Sequence, residues 1–384
     1  MTDLSLLSCA APNGAPHAND GNGESPHHRW MARCRELAQR AAGQTAPNPL
    51  VGCVVLNQGM VVGEGFHPGA GQPHAEVYAL AQAAEKARGA TLYVNLEPCN
   101  HTGRTPPCTE AVIGAGVSQV VVGMVDPDPR VSGSGIQRLR QAGIEVVVGI
   151  DEPACQRLNE AFVQRVVRQR PLGLLKYAMT LDGKIAATGG HSAWVTGPRA
   201  RAAVHQLRAT CDAIVVGGNT VRHDNPRLSS HGQGHNPRRV VMSRRLDLPA
   251  QANLWNTAIA PTLVFTTPKA DPARHQTLVE QGVEVITLPA LSPKTVTQHL
   301  YDQGCAAVLW ECGGQLAAQA LCDQVIDKLW AFVAPKLVGG PEAPTPVGEL
   351  GIRQMDMALA LERTTWRTLG NDLLLQGYLV APQQ

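Results

Sequence analysis

His74, Glu76, Cys99 and Cys108 are the residues of this 384-residue chain whose types and spacing could do chemistry together. They lie in "PHAEVYALAQAAEKARGATLYVNLEPCNHTGRTPPCTEA", from Pro73 to Ala111. Imidazole and thiolate are zinc ligands, and a His/Cys/Cys set leaves the fourth tetrahedral position to water, the mark of a catalytic centre. Pro73 precedes a predicted helix and Pro107 another, which puts His74 and Cys108 at helix starts. The positive end of a helix lowers a thiol's pKa and favours the thiolate that binds metal. Glu76, two residues beyond His74, is read as a proton relay and not as a ligand. Zinc makes water nucleophilic near neutral pH, and a carboxylate beside it moves the protons.

His-x-Glu followed by Pro-Cys is the pattern of zinc nucleobase deaminases, in which water attacks an amidine-like carbon and ammonia leaves. The usual second half is P-C-x-x-C; here Cys108 lies beyond a long loop, "NHTGRTPP". Neither the tripeptide nor the cysteine pair is specific alone; their joint order with a helix and a strand between them is. A purely structural zinc site needs a fourth ligand, for which His101 is the nearest candidate, and would leave Glu76 without a role.

Positioning these groups takes an α/β framework. Helical spacing runs through "RWMARCRELAQRAA", "AEVYALAQAAEKARG", "TEAVIGAGV" and "GIQRLRQAG", and strand-like runs include "GCVVLN", "MVVGEGFH", "ATLYVNLEP", "SQVVVGMV" and "IEVVVGI". That predicts a sandwich with about five strands. "ACQRLNEAFVQRVVRQRP" reads as one charged helix ending at a seam near Gln169. Beyond it the α/β alternation resumes, with Gly-Gly after a strand in "VVGGNTV" and "ECGGQLAAQAL". Bare amides at a helix start suit a phosphate, but neither stretch is G-x-G-x-x-G, and packing turns account for them equally.

The length suits two domains. A charged fraction of 17% argues against general disorder and a net charge of +2 against binding dominated by nucleic-acid phosphates. The Ala/Pro/Asn/Gly-rich start to about Ser25 is expected to be a tail, with His17, His27 and His28 solvated in or beside it. It lacks the basic start and long apolar core of a secretory signal, and no apolar run is long enough to span a bilayer. Ten cysteines, mostly single in apolar surroundings, read as buried thiols in a reducing, cytoplasmic setting.

At "APNPLVGCVV", "PHAEVYAL", "LEPCNHTGRTPPC" and "AGVSQVVVGMVDPDP" the chain resembles the bifunctional deaminase–reductase family of riboflavin biosynthesis, whose long loop between the two cysteines it shares. In the second half "LKYAMTLDGKIA", "SAWVTG", "LRATCDAIVVGGNTV", "DNPRL", "LWECGGQLA" and "APKLVGG" extend the resemblance to about Tyr378. The resemblance implies a tail over 1–24, a cytidine-deaminase-like α/β/α sandwich over 25–168, and a dihydrofolate-reductase-like α/β domain over 171–384. It implies zinc on His74, Cys99 and Cys108, Glu76 as proton shuttle, and a phosphoribosyl diaminopyrimidinone as the first substrate, which loses an amino group. Asn48 then faces the pyrimidine, although turn chemistry between Pro47 and Pro49 explains it as well.

The second domain is implied to use NADPH and to deliver hydride to the sugar C1. Ala178, Trp194, Thr220, Asp224, Gly313, Gly314, Gln315 and Leu316 fall near the dinucleotide, and Ser192, Arg208, Leu228 and Glu311 near the substrate. Lys176 and Asp224 are the polar candidates for assisting the transfer. Read blandly, Trp194 is a core aromatic and Arg208 a solvated helix residue. Two departures stand out: His231 where many relatives carry a phosphate-binding Arg, and Ser243-Arg244 where relatives usually have Asp-Ser. A neutral His is the weaker phosphate partner, whereas Arg244 suits the 2′-phosphate of NADPH. The departures motivate a second reading, a monofunctional pyrimidine deaminase with a degenerate reductase domain. A zinc-stabilised RNA-binding or RNA-editing protein needs basic stripes with exposed aromatics, and aromatics make up only 4% of the chain. The family resemblance implies a homo-oligomer, and the charge balance and hydropathy lead us to expect neither nucleic acid nor membrane as partner.

Overall fold

The computed structural model describes residues 26–102, 106–129 and 131–380. Two sheets organise them, one of five strands and one of nine.

The first sheet has the order β2-β1-β3-β4-β5, built from β1 (Gly52–Asn57), β2 (Met60–Phe66), β3 (Thr91–Val94), β4 (Gln119–Val122) and β5 (Glu145–Val148). β1 pairs antiparallel with β2 and β3, whereas β3, β4 and β5 run parallel. Val120, Val121 and Val122 are fully buried, as befits a parallel strand covered on both faces. Helices α1 (Pro26–Gln39), α2 (Ala75–Ala83), α3 (Cys108–Ala115) and α4 (Ser134–Gln141) cover the sheet. The predicted helix through Gly89 stops early: Ala84 adopts a left-handed φ of 47°, and a 3-10 turn over Ala84–Ala87 finishes the segment. His17 and the other residues up to Ser25 lie outside the described residues. His27 and His28 belong to α1, and His27 Nδ1 is 2.9 Å from the Tyr93 hydroxyl, so the expectation of a solvated tail histidine fails for His27.

The charged segment expected as one helix is two, α5 (Glu152–Leu158) and α6 (Glu160–Arg168). Asn159 stands at the break, buried, with its side chain turned away from the helix onto the backbone of Leu50. An asparagine that hydrogen-bonds backbone elsewhere competes with helix continuation.

The second sheet has the order β10-β9-β8-β7-β11-β6-β12-β14-β13. Its strands are β6 (Leu172–Thr180), β7 (Ala213–Gly217), β8 (Arg238–Met242), β9 (Thr262–Thr266), β10 (Glu284–Thr287), β11 (Ala307–Trp310), β12 (Lys328–Ala334), β13 (Leu361–Leu369) and β14 (Asp372–Leu379). All neighbouring pairs are parallel except β12–β14 and β13–β14. Helices α7 (Pro198–Ala209), α8 (Gly218–Asp224), α9 (Pro272–Glu280), α10 (Pro293–Asp302) and α11 (Gly314–Cys322) complete it. Among the described residues no helix is long and apolar enough to cross a membrane.

Two glycines decide how closely α2 approaches the first sheet. A Cβ at Gly63 would overlap the Ala79 carbonyl oxygen, and one at Gly65 would overlap that of Ala75. Alternate residues of β2 are bare so that the helix carrying Glu76 can lie flat against the strand. Gly63→Ala must push α2 outward, and a lowered urea midpoint in equilibrium unfolding, worth about 1–3 kcal/mol, is the expected outcome.

Candidate active sites

Helix α2 begins at Ala75, with His74 extended at its N-cap (ψ 166°), and α3 begins at Cys108 itself, behind Pro107. Proline fixes its own φ and donates no hydrogen bond, so it starts a helix without loss. The two helix N-termini converge on the turn after β3. The Cys108 amide donates to Cys99 Sγ at 3.3 Å and the Thr109 amide to the Cys99 carbonyl at 3.2 Å. His74 Nδ1 stands 3.0 Å from Cys108 Sγ and 3.5 Å from Cys99 Sγ. The ligand atoms of His74, Cys99 and Cys108 all lie within 4.8 Å of one another. Three soft donors at that spacing fit one zinc ion. Cys99 is held down at about 4, chiefly by the Cys108 thiol with help from His74 and the Cys108 amide, while Cys108 is pushed up by sharing that proton and by burial.

Glu76 reaches the same place from the first turn of α2. Its Oε2 is buried without a hydrogen-bond partner, and burial raises its carboxyl to about 7. A buried carboxylate oxygen left without a partner costs stability and marks a place for a group that exchanges protons. His101 is exposed and outside the ligand cluster, so among the described residues the cluster offers three ligands, not four.

Asn48 lies close to this centre through a residue the sequence did not single out. His67 is buried; its Nδ1 is 3.1 Å from the Pro73 carbonyl, which can only accept, so Nε2 accepts from Asn48 Nδ2 at 3.0 Å. The His67 and His74 rings meet edge to face at 5.2 Å. Glu97, also missed, is buried and accepts from the amides of Asp126, Gly133, Gly135 and Ile136, tying the loop before α4 to the Cys99 turn. The one cue in the sequence was its place beside Pro98-Cys99; its partners are remote in the chain.

The reductase candidates gather at the carboxyl ends of β6, β7 and β11, where α/β sheets bind ligands. Glu311 follows β11 and pairs with Arg208 from the last turn of α7: Nε to Oε1 2.7 Å, Nη2 to Oε2 3.0 Å. Lys176 on β6 stands 3.4 Å from Glu311 Oε2. Arg208 is thus a largely buried, bidentate partner and not a solvated helix residue. Burial by itself would raise the Glu311 carboxyl, but Arg208 and Lys176 bring it down to about 2. Ser192 Oγ donates to Asp224 Oδ1 at 2.8 Å. His231 stacks on His205 with ring centroids 4.0 Å apart.

Other members sit differently. Trp194 is 69% exposed with the Arg201 guanidinium 4.6 Å from its ring centroid, so it is no core aromatic. Leu228 is buried with a left-handed φ of 51°. Ala178 is half-buried on β6 beside Lys176, and Thr220 lies in α8 after the Gly217-Gly218 turn. Gly313 N-caps α11 with no side-chain cap and open space where a Cβ would stand, a cradle that fits a dinucleotide phosphate. Gly314, in contrast, packs against the backbone of Thr345, Val347 and Gly348, and Gln315 and Leu316 continue the first turn of α11. The Arg244 side chain is exposed next to buried Ser243, whose hydroxyl donates to Asp247.

Fold and site define a zinc-binding deaminase of the cytidine deaminase type joined to a reductase. The profile of the cytidine and deoxycytidylate deaminase zinc-binding region matches residues 24–124, and that of the RibD C-terminal domain matches 171–375. The chain belongs to the RibD family of riboflavin biosynthesis proteins: the riboflavin biosynthesis protein RibD of Synechocystis sp. is 58% identical over 91% of this chain and 95% of its own length. RibD of Aquifex aeolicus is 41% identical, with 90% of this chain and 96% of that protein covered. Among solved structures, Acinetobacter baumannii RibD matches with a TM-score of 0.82 at 39% identity, covering 92% of this chain and 99% of that one. A Thermotoga maritima diaminohydroxyphosphoribosylaminopyrimidine deaminase/5-amino-6-(5-phosphoribosylamino)uracil reductase matches with a TM-score of 0.83 at 35% identity and the same coverage.

Two outcomes are expected of the sites themselves. Cys99→Ser and Cys108→Ser each remove a soft ligand, and metal analysis of the purified variants should find zinc lost, whereas Glu76→Gln retains it. The Glu311 carboxyl titrates lower in the folded chain (about 2) than its ordinary 4.5. Its stabilising contribution is therefore complete above that ordinary value and lost as the pH falls toward 2. Denaturation followed across that range should show a steeper acid loss for the native chain than for Glu311→Gln.

Proposed function

We propose that this chain carries out two steps of riboflavin biosynthesis, zinc-dependent deamination of a diaminohydroxyphosphoribosylaminopyrimidine and NADPH-dependent reduction of the resulting 5-amino-6-(5-phosphoribosylamino)uracil. The observation that carries the first step is the partnerless, buried Oε2 of Glu76 beside three converging ligand atoms. His74, Cys99 and Cys108 would hold zinc, which supplies a Lewis acid that lowers the pKa of water. Glu76 takes a proton from the attacking water at its free carboxylate oxygen and passes it to the departing amino group. The ring carbon gains oxygen and loses ammonia. Asn48, steadied by His67, offers its remaining amide hydrogen and Oδ1 to the pyrimidine edge.

The second domain would hold NADPH, which when bound would be the hydride source for the sugar C1. Ala178, Trp194, Thr220, Gly313, Gly314, Gln315 and Leu316 line the dinucleotide in this reading. Lys176 Nζ holds the proton that the sugar's ring oxygen takes as the ring opens. Asp224, accepting from Ser192, orients the sugar. Arg208, Glu311 and the Leu228 backbone bind the substrate on the far side. The bidentate Arg208–Glu311 pair with Lys176 against it is a maintained charge network, and it supports the bifunctional reading over a deaminase with a degenerate second domain.

We take the tail as 1–24, the deaminase domain as 25–168 and the reductase domain as 171–384. A homo-oligomer is supported by β13, an outer strand exposed along nearly its whole length and carrying exposed Trp366. The free cysteines among the described residues support a reducing compartment, in our reading the cytoplasm.

Ammonia release and NADPH oxidation, measured on the same preparation, test the proposal. Glu76→Gln should lose about 100- to 10,000-fold of deamination and still reduce pre-deaminated substrate. Asp224→Asn should release ammonia at the native rate and consume NADPH slowly. Absence of NADPH consumption by the native chain with pre-deaminated substrate would restore the monofunctional reading.

A further inference from the structure

We infer that Asn159, at the joint between α5 and α6, is a positioning residue for deamination: it holds the segment that carries Asn48, and through α6 it makes the reductase domain part of the pyrimidine pocket. The inference rests on the reading of Asn48 as a pyrimidine contact.

Asn48 stands between Pro47 and Pro49. Proline has no N–H, so the first backbone donor after Asn48 is the amide of Leu50. Asn159 takes both polar groups of that residue: Oδ1 accepts from Leu50 N at 2.8 Å and Nδ2 donates to Leu50 O at 3.0 Å. Asn95, fully buried, adds a second donor to the Leu50 carbonyl at 2.9 Å and accepts from Gly52 N at 2.7 Å. β1 begins only at Gly52. For the residues before it, two asparagine side chains do what a neighbouring strand would do. Upstream, Asn48 N donates to Thr45 O at 2.8 Å, so Leu50 is the anchor on the other side of the Pro-Asn-Pro step.

Asn159 is in turn fixed by the second domain. Arg165 Nη1 donates to the carbonyls of Tyr301 and Cys305 at 2.8 and 2.9 Å, Gln164 Nε2 donates to Asp327 at 2.9 Å, and Lys328 pairs with Glu160 at 2.7 Å. All three grips lie on α6, immediately after Asn159. The loop is also pressed from its other end, because a Cβ at Gly43 would overlap the carbonyl oxygen of Ala209, the residue after Arg208. Behind the segment a cleft of about 60 Å³ is lined by Thr45, Asn48, Asn159, Thr210 and Asp212. The segment has room to shift once the tether is cut.

Asn159→Leu keeps the side chain's size and removes both bonds; Asn159→Asp keeps the acceptor and loses the donor. Steady-state deamination by the full zinc-loaded chain should show KM raised about five- to tenfold for Asn159→Leu, the loss expected of a hydrogen bond or two, with kcat within about twofold. Asn159→Asp should fall between. Zinc content and the reduction of pre-deaminated substrate should match the native chain, which also reports that the variants fold. Asn48→Ala should raise KM as well, and the double variant Asn48→Ala/Asn159→Leu should be no worse than Asn48→Ala alone, because one residue acts through the other. Additive losses, or an unchanged KM in both Asn159 variants while Asn48→Ala raises it, would overturn the inference and leave the reading of Asn48 standing. An unchanged KM in Asn48→Ala would overturn both.

Discussion

Two helix N-termini pointing at one sulfur form the constraint on which the first domain depends. The Cys108 amide and the positive end of α3 stabilise negative charge on Cys99, and α2 brings His74 and Glu76 to the same place. Neither helix is long, so their position is set by what they pack on. Bare glycines on β2 let α2 settle, and buried Glu97 takes up two amides of the loop before α4 and two of its first turn. Metal chemistry at this centre is thus a consequence of backbone packing: thiols converge because proline starts and glycine contacts leave the helices little other course.

The second domain solves a different problem with charge. Glu311, Arg208 and Lys176 are all poorly exposed, and a carboxylate so buried is tolerated because a bidentate guanidinium and an ammonium face it. The network joins β6, β11 and the end of α7, three elements that must stay in register if the ends of the parallel strands are to form one binding face. Beside it His231 and His205 stack with ring centroids 4.0 Å apart. The Arg208–Glu311 pair stands with that stack at its side.

Between the domains, α6 is held by side chain to backbone and side chain to side chain contacts, while Asn159 holds Leu50 and the Ala209 carbonyl lies against Gly43 of the same loop. Chain order alone would leave the two activities as neighbours on a string. The contacts make the second domain a wall for the first, so the joint is part of the structure that orients Asn48.

What the sequence determined by itself was local. His74-x-Glu76, Pro98-Cys99 and Pro107-Cys108 each carry their meaning within a few residues, since proline, helix start and ligand type are adjacent; strands of consecutive valines were legible for the same reason. Where a residue's role depends on a partner far along the chain, the sequence was silent. His67 meeting Asn48 and Pro73, Glu97 accepting amides some forty residues on, and Asn159 holding Leu50 across |i−j| of 109 are facts of tertiary packing. Asn159 looked like one polar position in a charged helix, and the helix broke there because a buried amide side chain found better partners in another part of the chain. The bland alternatives for two residues fail on the same ground: Trp194 is exposed and no core aromatic, and Arg208 is paired and not solvated. Hydrophobic and charged types bias a residue toward inside or outside, but which side chain closes a network is decided only when distant elements meet.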